Sequence, residues 1–152
     1  MKTPIRTSLV VAAALALSAC AGIAPTKQVV DTRAAPTAIG PYSQAIRHGS
    51  LLFLSGQIPI DVATNAIPAA ATIEDQTKLV IEHLRAVLAA NGMTLDNVVS
   101  TQVFMKDLNE FSRMNQVYGM YFKDAPPARA TVEVARLPRD VKVEIAAIAI
   151  KN

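Results

Sequence analysis

The chain has 152 residues, which suffices for one real core and not for two, so it reads as a single domain behind a leader. Its formal charge of +3 includes Lys2 and Arg6 of that leader; without residues 1–19 it is about +1, and the remaining lysines and arginines are scattered singly among few aromatic residues. Nothing in that distribution resembles a nucleic-acid-binding patch, and a single cysteine excludes an internal disulfide.

The leader, "MKTPIRTSLVVAAALALSAC", places basic residues before an uncharged apolar run from Ser8 to Ala16 and closes on small residues, the layout of a secretory signal. It is too short for a membrane-spanning helix. Its end, Leu17 to Cys20, resembles the lipobox of bacterial lipoproteins, in which the cysteine is lipid-modified and becomes the new N-terminus. That resemblance implies an exported protein on the periplasmic side of the envelope, anchored in the membrane through Cys20. Cleavage after Ala21 by the ordinary signal peptidase is the alternative, because Ala19 and Ala21 also satisfy a small-x-small site. The stretch from Ala21 to Ala35 is small, polar and without period. Residues 20–35 are therefore expected to be a tether, and the folded domain to span 36–152.

Within that domain "SQAIRHGSLLFLSG" shows two short strand-like runs about Gly49-Ser50, a hairpin signal, and a loop set by Pro59 and Pro68 follows. The spacing predicts a helix from Thr72 to about Asn91: Thr72 is an N-cap residue, Glu74 and Asp75 suit the positive end of the helix dipole, and Gly92 supplies a left-handed stop. Ile73, Val80, Leu84, Val87 and Leu88 mark its core face. "VVSTQVFMKD" has strand period, with Val99, Thr101, Val103 and Met105 on one side. A second helix is expected to open at Asp107, which with Glu110 makes an acidic variant of the capping box. Its stripe is Leu108, Phe111, Met114, Tyr118 and Phe122, and Pro126 and Pro127 end it. Two strands, "ARATVEVA" and "VKVEIAAIAI", finish the chain. Two helices for about five strands make the economical fold an α+β domain, one mixed β-sheet with both helices on one face. The other face then needs a cover, and another subunit is the simplest one.

Glycine-rich phosphate loops, a GxSxG elbow and paired cysteines or histidines at metal spacing are all missing from the sequence, which argues against a metal or triad enzyme. His48 and His83 read as surface residues. Arg129 and Glu144 stand out as charges in otherwise apolar strands, where a charge is costly unless paired or used. An arginine fork fits a small carboxylate bidentately, and a glutamate in a partly dry cleft can orient or activate water. Spacing alone favours the plainer reading, an ion pair between the two or with Lys142 or Arg136. Tyr42 reads equally plainly as a strand-start aromatic, Ser55 as a strand-end cap and Asn115 as a solvated helix residue.

From "APTAIGPYSQA" through "SGQIP" and "TQVFMKDLNEFSRMNQVYGMYF" to "PARATVEVARLPRDVKVEIAAIAI", the chain resembles the reactive intermediate deaminase family, RidA type, also called the YjgF family. The resemblance implies a chorismate-mutase-like α+β domain assembled as a homotrimeric barrel with clefts between subunits. It also implies hydrolysis of reactive 2-imino acids and their enamine tautomers to 2-keto acids and ammonia, with no cofactor or metal. By position it makes Arg129 of "PAR" the holder of the substrate carboxylate and Glu144 of "VKVEI" the residue that positions water. Tyr42, Ser55 and Asn115 match further cleft residues, and Thr131 stands where several relatives carry cysteine, so it too is expected at the substrate. The alternatives left open are a non-enzymatic envelope module that binds small carboxylates or a protein partner in the same clefts, and, more weakly, a ribonuclease.

Overall fold

The computed structural model describes residues 26–151, so the leader, Cys20 and the expectations attached to them lie outside the described residues. Helix α1 (Ile73–Ala90) starts where the sequence caps it. The Thr72 hydroxyl accepts the Asp75 N–H at 3.2 Å while the Asp75 carboxylate accepts the Thr72 N–H at 3.0 Å, a reciprocal capping box. Gly92, with φ of +64°, turns the chain away from its other end.

Six strands form one sheet: β1 (Gln28–Val30), β2 (Ala45–His48), β3 (Leu51–Gln57), β4 (Val98–Met105), β5 (Ala128–Glu133) and β6 (Val143–Ile150). Their spatial order is β1-β2-β3-β6-β4-β5, and every neighbouring pair is antiparallel except β4 and β5, which are parallel. The parallel step requires a crossover, which helix α2 (Phe111–Tyr121) provides. The last two strands, although consecutive, are thus not neighbours; β4 lies between them. Along β6, Val143, Ile145, Ala147 and Ala149 are buried, in one cluster with Val80, Leu84 and Leu88 of α1 and Met114 and Tyr118 of α2. Both helices therefore cover one face, and the chorismate-mutase-like α+β arrangement holds.

Four expectations are corrected. The folded body begins before Pro36: β1 pairs with β2, and Val30 and Ala35 are buried in the core. The run from Ala21 was read as a tether because three residues are too few to show a strand period. Val99 is 43% exposed while Val98 is buried, because the β4–β6 register shifts between Val98 and Ser100. Asp107 caps a single 3-10 turn (Leu108–Glu110) by accepting the Asn109 N–H, and the Glu110 carboxylate takes Lys142 at 3.0 Å in place of closing a capping box. Helix α2 ends at Tyr121, before the prolines, with Phe122 as its C-cap.

The second face carries Phe53, 44% exposed, and with Ser100, Gln102, Ala146 and Ile148 it lines a shallow hollow of about 190 Å³. At one end only, this face is closed by a small cluster of Ile58, Ile60, Leu137 and Val141, against which Phe104 packs.

Candidate functional site

The side chains expected at the site divide into two groups. Tyr42, Ser55 and Glu144 converge on one cleft of about 360 Å³, lined also by Ile39, Gly56, Ile58 and Pro138. The loop carrying Tyr42 is held from below by Gln44, whose carboxamide is 2% exposed. Its oxygen accepts the Thr32 N–H at 2.7 Å and its nitrogen donates to the carbonyls of Thr32 and Pro36 at 3.0 and 2.8 Å. The Tyr42 hydroxyl accepts the Ile39 N–H at 3.2 Å, and the Ser55 hydroxyl donates to the Ser43 carbonyl at 2.7 Å. Both hydroxyls are thereby oriented, with Ser55 left as an acceptor and Tyr42 as a donor towards the cleft.

Glu144 is half-buried and forms no hydrogen bond or ion pair with the described residues; burial alone raises its pKa above the ordinary 4.5. Its carboxylate lies over Gly56. A Cβ at that glycine would overlap Oε1 and stand 2.8 Å from the carboxyl carbon. Gly56 sits in the irregularity of the β3–β6 register between Leu54 and Gln57, so the bulge makes the space that the carboxylate fills. Sequence reading missed this residue, although an isolated glycine inside a strand is the usual mark of such a bulge.

Arg129 and Thr131 lie elsewhere. Arg129 is the register partner of Thr101 on β4, on the face that the helices cover, and its guanidinium carbon stands 4.5 Å from the ring centroid of Tyr118 and 5.7 Å from that of Phe111. It makes no hydrogen bond or ion pair with the described residues. Thr131, two residues on and on the same face, has a buried hydroxyl without a partner among the described residues. Asn115 falls on the stripe of α2 that carries Phe111 and Tyr118, and its side chain hydrogen-bonds none of the described residues. Glu144 pairs in register with Phe104, whose neighbours Val103 and Met105 face the helices, so Glu144 and Arg129 emerge from opposite faces of the sheet.

The plain alternative of an Arg129–Glu144 ion pair is not realised: Lys142 takes Glu110, and Arg136 takes Asp140 at 2.7 and 2.9 Å. His48 is exposed as expected, but His83 is buried, 2% exposed, and burial pushes its pKa down. Among the described residues no three His, Cys, Asp or Glu side chains are grouped to hold a metal ion.

A family profile described as Endoribonuclease L-PSP matches residues 32–151. A RutC family protein of Saccharolobus solfataricus is 52% identical over 126 residues, which span 83% of this chain and 99% of the relative. TdcF of Escherichia coli strain K12, whose name assigns it provisionally as a reactive intermediate deaminase, is 43% identical over 129 residues, covering 83% of this chain and 98% of the relative. The crystal structure of E. coli TdcF with bound serine superposes with a TM-score of 0.77 at 42% identity, over 82% of this chain and 99% of that one.

Proposed function

The chain belongs to the family described as Endoribonuclease L-PSP, which takes in RutC and Rid proteins, and on that premise we propose that it hydrolyses reactive 2-imino acids and enamines to 2-keto acids and ammonia. The observation that carries this reading is that Arg129 and Glu144 both lack a charged partner among the described residues, while the other candidate charges, Lys142 and Arg136, are taken by Glu110 and Asp140. The half-buried Glu144 is retained unpaired at a cost and Arg129 stands exposed, so a ligand that brings its own carboxylate and a water makes use of both. Arg129 takes the substrate carboxylate bidentately. Tyr42 and Ser55 border the reacting carbon, with Asn115 and Thr131 on the arginine side. Water, placed by Glu144, adds to the protonated imine carbon while the carboxylate takes up its proton. That proton then passes to nitrogen, and as the C–N bond breaks and ammonia leaves, the carboxylate takes the hydroxyl proton, which leaves the 2-keto acid. The imine carbon is already electrophilic, so positioning and one proton acceptor suffice.

Since the two charges leave opposite faces of one sheet, we place the working cleft between copies, Glu144 from one and Arg129 from its neighbour, in a homotrimer whose inner wall is the open sheet face around Phe53. The test is imine hydrolysis, with 2-imino acids generated by an amino-acid oxidase and free imine trapped by semicarbazide. The protein should divert imine to keto acid, and Arg129→Ala should not. An active Arg129→Ala variant refutes the clamp.

We further propose export and lipid anchoring through Cys20 on the periplasmic side. The support is the "LSAC" pattern together with a family match that starts only at residue 32. Cys20→Ser should release the protein from the membrane fraction; a variant that stays bound refutes the anchor.

A further inference from the structure

We propose that Tyr118, pinned by Thr101, is the positioning residue that sets Arg129 for its ligand, an inference that rests on reading Arg129 as the carboxylate clamp. Thr101 and Arg129 are register partners on the adjacent strands β4 and β5, so their side chains leave the sheet side by side on the same face. Tyr118 descends from α2 onto that face, and its hydroxyl lies 2.7 Å from Thr101 Oγ1 in a buried pair. The ring is also fixed from its side by Phe122, 4.5 Å between centroids at 33°. Arg129 lies over this fixed ring at 4.5 Å, with Phe111 as a second aromatic wall at 5.7 Å.

Packing alone accounts for a buried tyrosine but leaves two features unexplained. Thr101 is a hydroxyl in a strand whose other helix-facing residues, Val103 and Met105, are apolar; Val at that position would satisfy the core, and the hydroxyl's one partner among the described side chains is Tyr118. Arg129, for its part, has no side-chain hydrogen bond or ion pair among the described residues, and the contacts that hold its guanidinium are the rings of Tyr118 and Phe111. A guanidinium held over a ring by a cation–π contact leaves its N–H donors unbonded for a ligand while its long stem loses freedom. A bidentate ligand then finds the fork already ordered, and less conformational entropy is lost on binding. The Thr101–Tyr118 hydrogen bond keeps the platform from tilting. This chain of contacts, β4 hydroxyl to phenol to guanidinium, is a preorganising support for the clamp.

The test uses the full chain, with steady-state imine hydrolysis as above and calorimetric binding of 2-oxobutanoate, a keto acid that carries the same carboxylate. Tyr118→Leu removes the platform and should raise KM and the 2-oxobutanoate Kd by roughly threefold to thirtyfold, with kcat nearly unchanged. Tyr118→Phe and Thr101→Val remove the same hydrogen bond, so each should give a smaller rise and the double variant no more than either alone. A merely structural role would instead lower the unfolding temperature and the active fraction, reducing kcat at constant KM. That result, or wild-type KM and Kd in all the variants, overturns the inference. Should Tyr118→Leu fail to fold, the two hydrogen-bond variants decide in the same way. If the wild type itself neither hydrolyses imine nor binds 2-oxobutanoate, the functional reading has fallen and this inference falls with it.

Discussion

Glu144 is the residue at which stability and function oppose each other. Its carboxyl is half-buried, without a hydrogen-bond partner among the described residues, and burial raises its pKa above the ordinary 4.5. A carboxyl whose pKa is higher folded than unfolded binds its proton more tightly in the native state. Its contribution to stability is therefore full below about pH 4.5 and is lost as pH rises through the folded value. Glu144→Gln cannot ionise and escapes that loss, so its unfolding temperature should exceed the wild type's at pH 8 and meet it near pH 4, measured by calorimetry in matched buffers. A Gln variant no more stable than the wild type at pH 8 would show that the carboxylate has a partner after all. Under the proposed mechanism the same substitution should lower imine hydrolysis by roughly a hundredfold or more, since it removes the proton acceptor assigned there. In the wild type, kcat should fall on acidification through the raised pKa, at a higher pH than an ordinary carboxylate would give. The carboxylate rests where a Cβ of residue 56 would be, so Gly56 and the bulge in β3 fix the height of the group to which the proposed mechanism gives the water.

At the scale of elements, the six strands were unequally legible. Helix α1 was readable because its cap, stripe and stop agree, and all three are local. β1 was not, because its three residues acquire meaning only on pairing with β2, and the Gln44 hydrogen bonds that tie residues 32–36 to the same strand are equally non-local. This yields a prediction: a chain starting at Thr32 should be about 1.5–3 kcal/mol less stable in urea than one starting at Thr26, from the lost burial of Val30 alone. Equal stability would return this stretch to the role of tether. Tyr42, Ser55 and Glu144, far apart in the sequence, converge on one cleft. What no local pattern could reveal is the face from which Arg129 emerges, because that follows from the parallel docking of β5 beside β4 across a helix. For the same reason Phe111 and Tyr118 were readable as a core stripe but not as the surface on which a guanidinium rests. The burial of His83 is equally non-local, because residues 61–63 and Ala34 lie beside α1 there.

For the whole molecule, the open face of the sheet and the divided site pose a single problem. Phe53 and Val132 are 44% and 45% exposed on a surface that no described segment covers, and Glu144 and Arg129 cannot reach one ligand from opposite faces of one sheet. One arrangement answers both: copies packed with their open faces inward, so that the apolar surface is buried and each cleft takes its carboxylate from one copy and its arginine from the next. The consequence is subunit complementation. Arg129→Ala and Glu144→Gln should each be inactive alone, yet co-expressed with separate tags and purified as mixed assemblies they should recover activity, because some clefts then combine an intact Arg129 with an intact Glu144. With random mixing at equal amounts, roughly a quarter of the clefts are whole, so about a quarter of wild-type kcat at wild-type KM is expected. Clefts built within one chain would recover nothing, since every chain in the mixture lacks one of the two residues. Recovery with an altered KM would instead mean that the arginine reaching the ligand is a different one. The experiment therefore reads the geometry of the site and its assembly in one measurement.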